Sequence, residues 1–280
     1  MLSYRHSFHA GNFADVLKHL IEVEILEYLA RKDKPYVYID THAAAGLYQL
    51  ESAEAGKNRE YETGIEPLLA ADWPELKSYL DAVRACQQGH AERLYPGSPW
   101  FAMHLMREDD RAFLFELHPR DLALLEDLTW RDRRVRVQGE DGFGGLIGLL
   151  PPAIKRGLIL MDPPYEIKTD YQQVVKTLVA AHRRFATATY ALWYPVVDRG
   201  RINELERAFV QSGIRNIQLF ELGIEADRDG RGMTSSGMLV INPPYVLMER
   251  MKALLPRLAA LLGRNGEGCW RAEELVGENG

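Results

Sequence analysis

The sequence has 280 residues, of which 46% are hydrophobic and 26% are charged. It is therefore long and apolar enough to bury the core of one large α/β domain or of two small ones. Its formal net charge is −6 at pH 7. This argues against a protein that coats nucleic acid by bulk electrostatic attraction, so any nucleic acid has to bind at a local patch.

Two further features exclude other classes of protein. Cys86 and Cys269 show no paired spacing, so we expect neither a disulfide framework nor a thiolate metal site. No apolar run approaches the roughly 20 residues of a membrane span, and the N-terminus lacks the apolar core of a signal peptide. We therefore expect a cytoplasmic protein with no membrane span.

The chain opens on a polar, aromatic and irregular stretch, residues 1–12. From Phe13 onward apolar residues recur at helical spacing, and Asn12 is placed to cap the first turn of that helix. Lys18 and His19 lie in its early turns. From spacing alone, His19 is interpreted as a satisfied surface or core group.

Residues 36–46 indicate a strand, a turn and the start of a helix. Small residues after a strand let backbone amides approach a ligand, and Asp40 or His42 could meet the polar groups of that ligand. The stretch lacks two of the glycines of a dinucleotide fingerprint. We therefore do not expect it to bind a phosphate group.

The next segment, residues 47–93, is predicted to be a helical insertion. Its helical stretches are expected over 65–71 and 74–88. From Asp40 to Asp162 the chain is about 40 residues longer than a doubly wound sheet with typical helices, strands and connections requires. The insertion accounts for this surplus, and both substrate contact and passive decoration are consistent with it.

This surplus divides the chain into three parts. The main domain is predicted to comprise residues 1–46 and 94–265, interrupted by the inserted helical subdomain of residues 47–93. Residues 266–280 are rich in glycine and acidic residues, and we expect them to form a loosely ordered tail.

The main domain resumes after the insertion with a helix and a strand. Ser98 is predicted to cap a helix over residues 101–106, with Pro99 at its first position. A strand over 112–116 then ends in Glu116. An acid at the carboxyl end of the second core strand is placed to accept hydrogen bonds from ribose hydroxyls.

A helix over 121–130 and a third core strand over 135–138 precede Asp141 and Gly142. Asp141 can accept a hydrogen bond from an adenine amino group, and Gly142 lets the chain pass close to that group. A plain Asp-Gly turn is the alternative interpretation.

The strongest signal runs from Gly157 to Tyr165. Its apolar first part predicts a fourth core strand that is buried on both faces of a parallel sheet. Pro163 and Pro164 cannot donate to a sheet ladder, so they end the strand and leave the carbonyl groups of Asp162 and Pro163 free. In open α/β sheets, ligands bind at this place.

Asp162-Pro163-Pro164-Tyr165 supplies what a planar amino group needs before it can accept a methyl group. The Asp162 carboxylate and the Pro163 carbonyl can hold its two N–H groups, and Tyr165 offers an aromatic face to a flipped base. These hydrogen bonds favour a nucleophilic geometry at nitrogen. The tetrapeptide resembles the fourth motif of S-adenosylmethionine-dependent amino-methyltransferases, and an ordinary strand-ending turn is the alternative.

A second Pro-Pro-Tyr, at residues 243–245, follows Asn242 and an apolar strand over 238–241. Asn-Pro-Pro-Tyr resembles an accepted variant of the same motif, so only the order along the chain separates the two. Asp162 follows the fourth core strand, whereas we expect Asn242 to follow a late edge strand and to form a turn.

The remaining elements lie beyond Tyr165. Helices are expected over residues 171–185, 204–212 and 248–262, and strands over 190–195 and 216–222. The polar, glycine-rich segment 225–236 is predicted to be a loop near the carboxyl end of the sheet, where Arg228 and Arg231 could meet RNA phosphate.

Nine stretches of the chain resemble the RlmJ family, which methylates the amino group of one adenine in bacterial 23S ribosomal RNA. They are residues 4–12, 15–19, 40–42, 95–99, 116–119, 141–143, 162–165, 191–195 and 231–234. The resemblance covers nearly the whole chain except its insertion and tail. It implies a Rossmann-like α/β methyltransferase fold with a mostly parallel central sheet and a small helical insertion.

The resemblance also implies roles for single residues. The implied S-adenosylmethionine pocket is lined by His19, His42, Ser98, Glu116, Asp141, Gly142 and Asp162. Asp162 would also be the catalytic acceptor, beside Pro163 and Tyr165, and Tyr4 would touch the RNA. The implied partner is large-subunit ribosomal RNA in protein-free or nascent form, no metal is implied, and we expect a monomer.

One departure from the family pattern lies in the cofactor loop, which usually reads Thr-His-Ala-Gly-Ala-Gly. Here Ala44 replaces a glycine. If that position needs a positive φ, cofactor affinity should fall, and we expect a modest effect because the cofactor carries no pyrophosphate. Two other functions stay open, namely a DNA adenine or protein glutamine methyltransferase and a cofactor-binding RNA assembly factor without catalysis.

Overall fold

The computed structural model describes residues 6–166, 169–228 and 232–278. Its helices are α1 (Phe13–Ala30), α2 (Ala55–Asn58), α3 (Ile65–Ala71), α4 (Lys77–Gln87), α5 (Ser98–Leu105), α6 (Pro119–Thr129), α7 (Gly142–Leu149), α8 (Asp170–Arg184), α9 (Arg199–Gln211) and α10 (Leu247–Leu262). Its strands are β1 (Val37–Asp40), β2 (Leu47–Gln49), β3 (Leu94–Pro96), β4 (Arg111–Phe115), β5 (Val135–Gln138), β6 (Gly157–Met161), β7 (Thr189–Val196), β8 (Ile217–Gly223), β9 (Ser235–Ile241) and β10 (Cys269–Val276).

Eight strands form one sheet in the order β10-β8-β9-β7-β6-β1-β4-β5. The strands β7, β6, β1, β4 and β5 run parallel. Strand β9 is antiparallel to both β7 and β8, and β10 is antiparallel to β8. Strands β2 and β3 form a separate ribbon. The predicted α/β architecture with a mostly parallel central sheet is confirmed.

Two hydrophobic cores lie on the two faces of the sheet. Helices α1, α5 and α10 pack over one face, and α7, α8 and α9 pack over the other. Since successive side chains of a strand point to opposite faces, Leu158 and Leu160 of β6 join the first core, and Ile159 and Met161 join the second. All of β6 is buried, as its apolar sequence predicts.

The segment between β1 and α5 contains the two predicted helical stretches. They correspond to α3 and to a short 3₁₀ turn followed by α4. The ribbon of β2 and β3 was not predicted. Tyr61, Tyr79 and Val83 from this segment join the same hydrophobic core as α1, so the segment packs directly against the main domain. The division into domains stays a prediction.

Asn242 occupies a turn, but the strand before it is not an edge strand as predicted. Strand β9 lies between β7 and β8, because β8, although earlier in the chain, pairs with its outer side. Ile241 pairs with Tyr190 at the start of β7. Asn242 therefore lies at the amino ends of the parallel strands, whereas Asp162 lies at their carboxyl ends. Its side-chain amide donates to the carbonyl groups of Ala186 and Ala188, each at 2.8 Å.

The prediction of a loosely ordered tail is wrong for residues 269–276, which form β10 along β8. The charged residues of this strand hide the alternation of apolar and polar residues that would predict a strand. Charged side chains are typical of an exposed edge strand, where they prevent pairing with other chains. Arg271 forms ion pairs with Glu206, Glu221 and Glu273, which fix the strand to α9 and β8. Within the described ranges, no helix has the length and apolar character needed to span a membrane.

Deletion of residues 267–280 should lower the free energy of unfolding by roughly 3 kcal/mol or more, because it uncovers the fully buried strand β8. Urea unfolding would measure this loss. Deletion of residues 278–280 alone, which leaves β10 intact, serves as the control. Equal stability of the two truncated proteins would contradict the role of β10.

Candidate active site

A cavity of about 390 Å³ lies at the carboxyl ends of β1, β4, β5 and β6. Its walls bring together nearly all of the predicted site residues, namely His19, His42, Ser98, Glu116, Asp141, Gly142, Asp162 and Pro163. The volume falls in the range of small-molecule sites, about 300 to 1,000 Å³. Tyr4, the remaining predicted contact residue beside Tyr165, lies outside the described residues, as does Arg231.

A second cavity of about 310 Å³ adjoins the first. Its wall includes the aromatic side chains of Tyr165, Tyr171 and Trp193. Asp162 and Lys18 line both cavities. Asp162 therefore borders two cavities, one lined by several acids and imidazoles and the other by three aromatic rings.

Lys18 lines both cavities but was not predicted from the sequence to be a site residue. Its ammonium group donates to Asp162 Oδ2 at 2.7 Å and lies 2.9 Å from Asp15 Oδ1. Burial opposes its charge, yet the carboxylates of Asp15 and Asp162 raise the pKa of Lys18 well above its usual value. A signal existed in the sequence, since Asp15 and Lys18 stand three residues apart on the apolar face of α1, where an unpaired charge would not be tolerated.

Asp15 anchors this ion pair from the other side. Its Oδ2 lies 2.8 Å from His6 Nε2 and accepts a hydrogen bond from the Gly11 N–H at 2.9 Å. Burial alone would raise the pKa of Asp15, but the nearby His6 and Lys18 hold it well below its usual value. The N-terminal turn, α1 and the end of β6 are thus joined by one buried charge cluster.

The loop after β1 is held from behind by Asp40, which does not line either cavity. Its carboxylate accepts hydrogen bonds from Ser98 Oγ at 2.6 Å, Tyr38 OH at 3.0 Å and the His42 N–H at 3.1 Å. Burial raises the pKa of Asp40 to about 6 in spite of these bonds. The prediction that Asp40 could meet a ligand is therefore wrong. Of the two residues predicted for this role, only His42 lines the cavity.

The predicted capping role of Ser98 is also wrong. Helix α5 begins at Ser98 itself and its cap position is Gly97, with no side-chain capping bond. The hydroxyl of Ser98 instead binds Asp40, because the buried carboxylate is the stronger acceptor. The side chain still forms part of the first cavity.

Two imidazoles line the first cavity in neutral form. Burial lowers the pKa of His42 to about 4, although Asp162 and Asp141 favour its protonated form. Burial also lowers the pKa of His19 well below its usual value. His19 Nδ1 lies 2.8 Å from Tyr95 OH, whereas its buried Nε2 has no hydrogen-bond partner among the described residues. The nearest carboxylate oxygen, Asp15 Oδ1, lies 4.0 Å from it.

Two acids follow β4 and β5. Glu116 Oε2 accepts from the Ala44 N–H at 2.8 Å and Oε1 from the His118 N–H at 2.6 Å. Burial raises the pKa of Glu116, against these two bonds. Asp141 caps α7 by accepting from the Gly144 N–H at 2.9 Å. Both acids border the cavity and keep lone pairs for further donors.

Two backbone features shape the cavity. A Cβ atom at Gly142 would lie 1.8 Å from the Thr41 carbonyl oxygen, so only glycine lets the loops after β1 and β5 approach each other. Ala44 has a φ of 50°, the left-handed conformation that favours glycine. The position therefore has the positive φ on which the expected loss of cofactor affinity depends. An alanine in this conformation carries strain on the order of 1 kcal/mol.

Tyr165 lies on the second cavity and is fixed by three contacts. Its hydroxyl donates to the Trp193 carbonyl at 2.7 Å, and its ring centroid is 4.5 Å from that of Tyr171 and 6.1 Å from that of Trp193. No described residue donates a hydrogen bond to the Pro163 carbonyl. The motif thus presents a held aromatic ring and a free acceptor beside Asp162. In the described part of the chain, no cluster of three or more His, Cys, Asp or Glu side chains could hold a metal ion.

Comparison with known proteins finds similarity along most of the chain. A family model described as "Ribosomal RNA large subunit methyltransferase D, RlmJ" matches residues 33–276. The chain is 50% identical over 270 residues to ribosomal RNA large subunit methyltransferase J of Escherichia coli strain K12, covering 96% of each protein. It is 46% identical over 281 residues to the protein of the same name from Haemophilus influenzae, covering 99% of this chain and 100% of the relative.

Two solved structures have similar folds. Protein LPL1258 from Legionella pneumophila is 34% identical with a TM-score of 0.87, and the match covers 95% of this chain and 98% of that one. A probable spermidine synthase from Corynebacterium glutamicum is 12% identical with a TM-score of 0.54, covering 96% and 78% of the two chains. The second similarity concerns the fold alone.

Replacement of Gly142 by Ala should lower the free energy of unfolding by about 2 kcal/mol, because the added methyl group clashes with the Thr41 backbone. Gly148→Ala in the same helix is the matched control, since a Cβ there meets nothing within 4 Å. It should leave stability unchanged or raise it slightly. Chemical unfolding of both variants checks the difference, and similar losses at the two positions would refute the close approach.

The His42 ring should remain neutral down to about pH 4, which NMR titration can measure directly. Its pKa is lower in the folded than in the unfolded chain, where it is near 6.5. The stability that depends on the neutral ring is therefore present above pH 6.5 and is lost as the pH falls through 4. The difference in unfolding free energy between the wild type and His42→Gln should shrink over that window. A titration midpoint near 6.5 in the folded protein would contradict this.

Proposed function

Because this chain belongs to the RlmJ family of ribosomal RNA large subunit methyltransferases, we propose that it methylates the N6 amino group of one adenine in 23S ribosomal RNA with S-adenosylmethionine as donor. The observation that carries the proposal is the position of Asp162, which borders both the first cavity and the aromatic second cavity. A methyl donor in one cavity and a base in the other would meet at this residue.

The first cavity fits S-adenosylmethionine in its chemistry. When bound, this cofactor supplies a methyl group on positively charged sulfur. The neutral rings of His19 and His42 do not repel a cation, and the buried His19 Nε2 lacks a partner among the described residues. Glu116 can accept hydrogen bonds from ribose hydroxyls and Asp141 from an adenine amino group.

The second cavity fits a flipped adenine. Tyr165, Tyr171 and Trp193 provide aromatic surface on which an unstacked base can pack. The mouth of the cavity needs no extended basic surface, in keeping with a net charge of −6. We therefore infer a small RNA footprint, and a substrate that is protein-free or nascent, so that the adenine can leave its helix.

Asp162 and Pro163 would hold the target amine. Lys18 binds Asp162 Oδ2 and thereby fixes the carboxylate, while Oδ1 and the Pro163 carbonyl are placed to accept one N–H bond each. These bonds strengthen as positive charge develops on the nitrogen, so they stabilise the transition state more than the ground state. The methylated nitrogen is strongly acidic and can pass its extra proton to Asp162.

Asp162→Ala should abolish methyl transfer while nearly retaining the affinity for S-adenosylmethionine, because it removes one acceptor of the amine and leaves the rest of the first cavity. Transfer of a radiolabelled methyl group to protein-free large-subunit ribosomal RNA measures the activity, and calorimetry measures cofactor binding. Full activity of this variant would refute the assigned role.

The substrate class is tested with the same labelled cofactor. The wild type should label ribosomal RNA stripped of protein, and should leave duplex DNA and protein substrates unlabelled. Labelling of DNA or protein in place of RNA would support the other methyltransferase activities. Cofactor binding without labelling of any substrate would support a non-catalytic assembly factor.

Ala44→Gly should raise the affinity for S-adenosylmethionine by less than tenfold, because the strain of about 1 kcal/mol at a φ of 50° is already present without the cofactor and is relieved in the free and the bound protein alike, while glycine adds flexibility to the loop. Calorimetry on both proteins provides the comparison. A gain of tenfold or more would show that the alanine impairs the loop more severely than its backbone strain accounts for.

A further inference from the structure

We propose that Arg201 binds a backbone phosphate of the substrate RNA at the wall of the aromatic cavity, an inference that rests on the proposed function. Arg201 lies in the first turn of α9 and lines the same cavity as Asp162 and Tyr165. Its charge acts on Tyr171, the ring that packs against Tyr165. A guanidinium group therefore borders the surface on which the base would stack.

The other basic side chains of this cavity are already engaged with carboxylates. Lys18 is buried between Asp15 and Asp162. His6 lies 2.8 Å from Asp15, and His9 lies 3.0 Å from Glu60. These pairs serve the protein's own structure, so they contribute little net positive charge toward an incoming polyanion.

Arg201 is paired in a weaker way. Its Nε lies 3.2 Å from Asp198 Oδ2 three residues earlier, and the two side chains are 37% and 54% exposed. Exposed pairs of this kind contribute about 0 to 1 kcal/mol, so a phosphate can replace the carboxylate. Asp198 would still cap α9 through its bond from the Gly200 N–H.

Arg199, two residues earlier, shows the contrast within the same helical turn. It binds both oxygens of Glu221, which is 3% exposed, and it also pairs with Asp227. That arginine is part of the framework that holds α9 against β8. Arg201 shares its chemistry but not its internal partners, which leaves its planar fork of N–H donors for a ligand.

The chemistry of the ligand follows from the cavity. A nucleotide whose amine reaches Asp162 and whose base packs on Tyr165 must leave its sugar and phosphates toward solvent. A guanidinium group matches the oxygens of a phosphate with two parallel hydrogen bonds. Arg201 would therefore hold the backbone next to the flipped adenosine, and it would position the base without touching the reacting atoms.

The test compares Arg201→Gln with Arg207→Gln, an exposed arginine of the same helix that lies outside the cavity lining. The probe is a protein-free transcript of large-subunit ribosomal RNA, titrated at several salt concentrations. Arg201→Gln should weaken RNA binding about tenfold and reduce the slope of log affinity against log salt by about 0.7 to 0.9, the value for one lost phosphate contact. Arg207→Gln should change neither quantity appreciably.

Two further measurements separate this role from a structural one. Arg201→Lys keeps the charge and should keep the salt slope while it loses part of the affinity. Both Arg201 variants should bind S-adenosylmethionine like the wild type and raise the KM for RNA more than they lower kcat. Wild-type RNA affinity and salt slope in Arg201→Gln would overturn the inference.

The wild-type protein alone tests the proposed function. If the wild type methylates the transcript and Arg201→Gln binds it equally well, the phosphate contact is refuted and the proposed methyltransferase activity is not. A wild type that neither binds nor methylates the transcript removes the proposed function, and the phosphate contact with it.

Discussion

The buried ammonium group of Lys18, held between the carboxylates of Asp15 and Asp162, is the interaction on which the site depends. Helix α1 packs over one face of the sheet, and this cluster fixes its first turns to the end of β6. Removal of the lysine would leave two carboxylates close together in a largely buried place, which is more damaging than the loss of an exposed ion pair. The position of Asp162, the proposed catalytic acceptor, is thus secured by the fold itself.

The two cavities derive from the order of the strands. The loops after β1, β4 and β5 and the motif after β6 bound the first cavity, while the same motif, the end of β7 and the start of α9 bound the aromatic one. Because β1 and β7 flank β6 on either side, Asp162 stands where the two cavities meet. A transfer between a donor and an acceptor of different chemistry needs such an arrangement, since each partner binds to its own surface and only the reacting atoms approach.

The sequence predicted best where local chemistry decides the structure. The buried run of β6 and the prolines after it identified the end of the strand at which the cavities lie. Asn242 forms the predicted turn, although the strand before it is not an edge strand. Lys18 was missed because Asp162 is 144 residues away, so only the fold shows that the local pair of Asp15 and Lys18 extends to Asp162. The tail was predicted wrongly because the charged residues of an edge strand resemble those of a disordered tail. The capping role of Ser98 was predicted wrongly because its hydroxyl binds the distant buried carboxylate of Asp40 and not the helix end.

The structure of the protein with S-adenosylhomocysteine and a short RNA that contains the target adenine tests the central claim most directly. The sulfur should lie in the cavity lined by His19 and His42, the base should pack on Tyr165, and the N6 nitrogen should be within hydrogen-bonding distance of Asp162. A cofactor bound elsewhere, or an adenine held on the far side of the sheet near Asn242, would contradict the account.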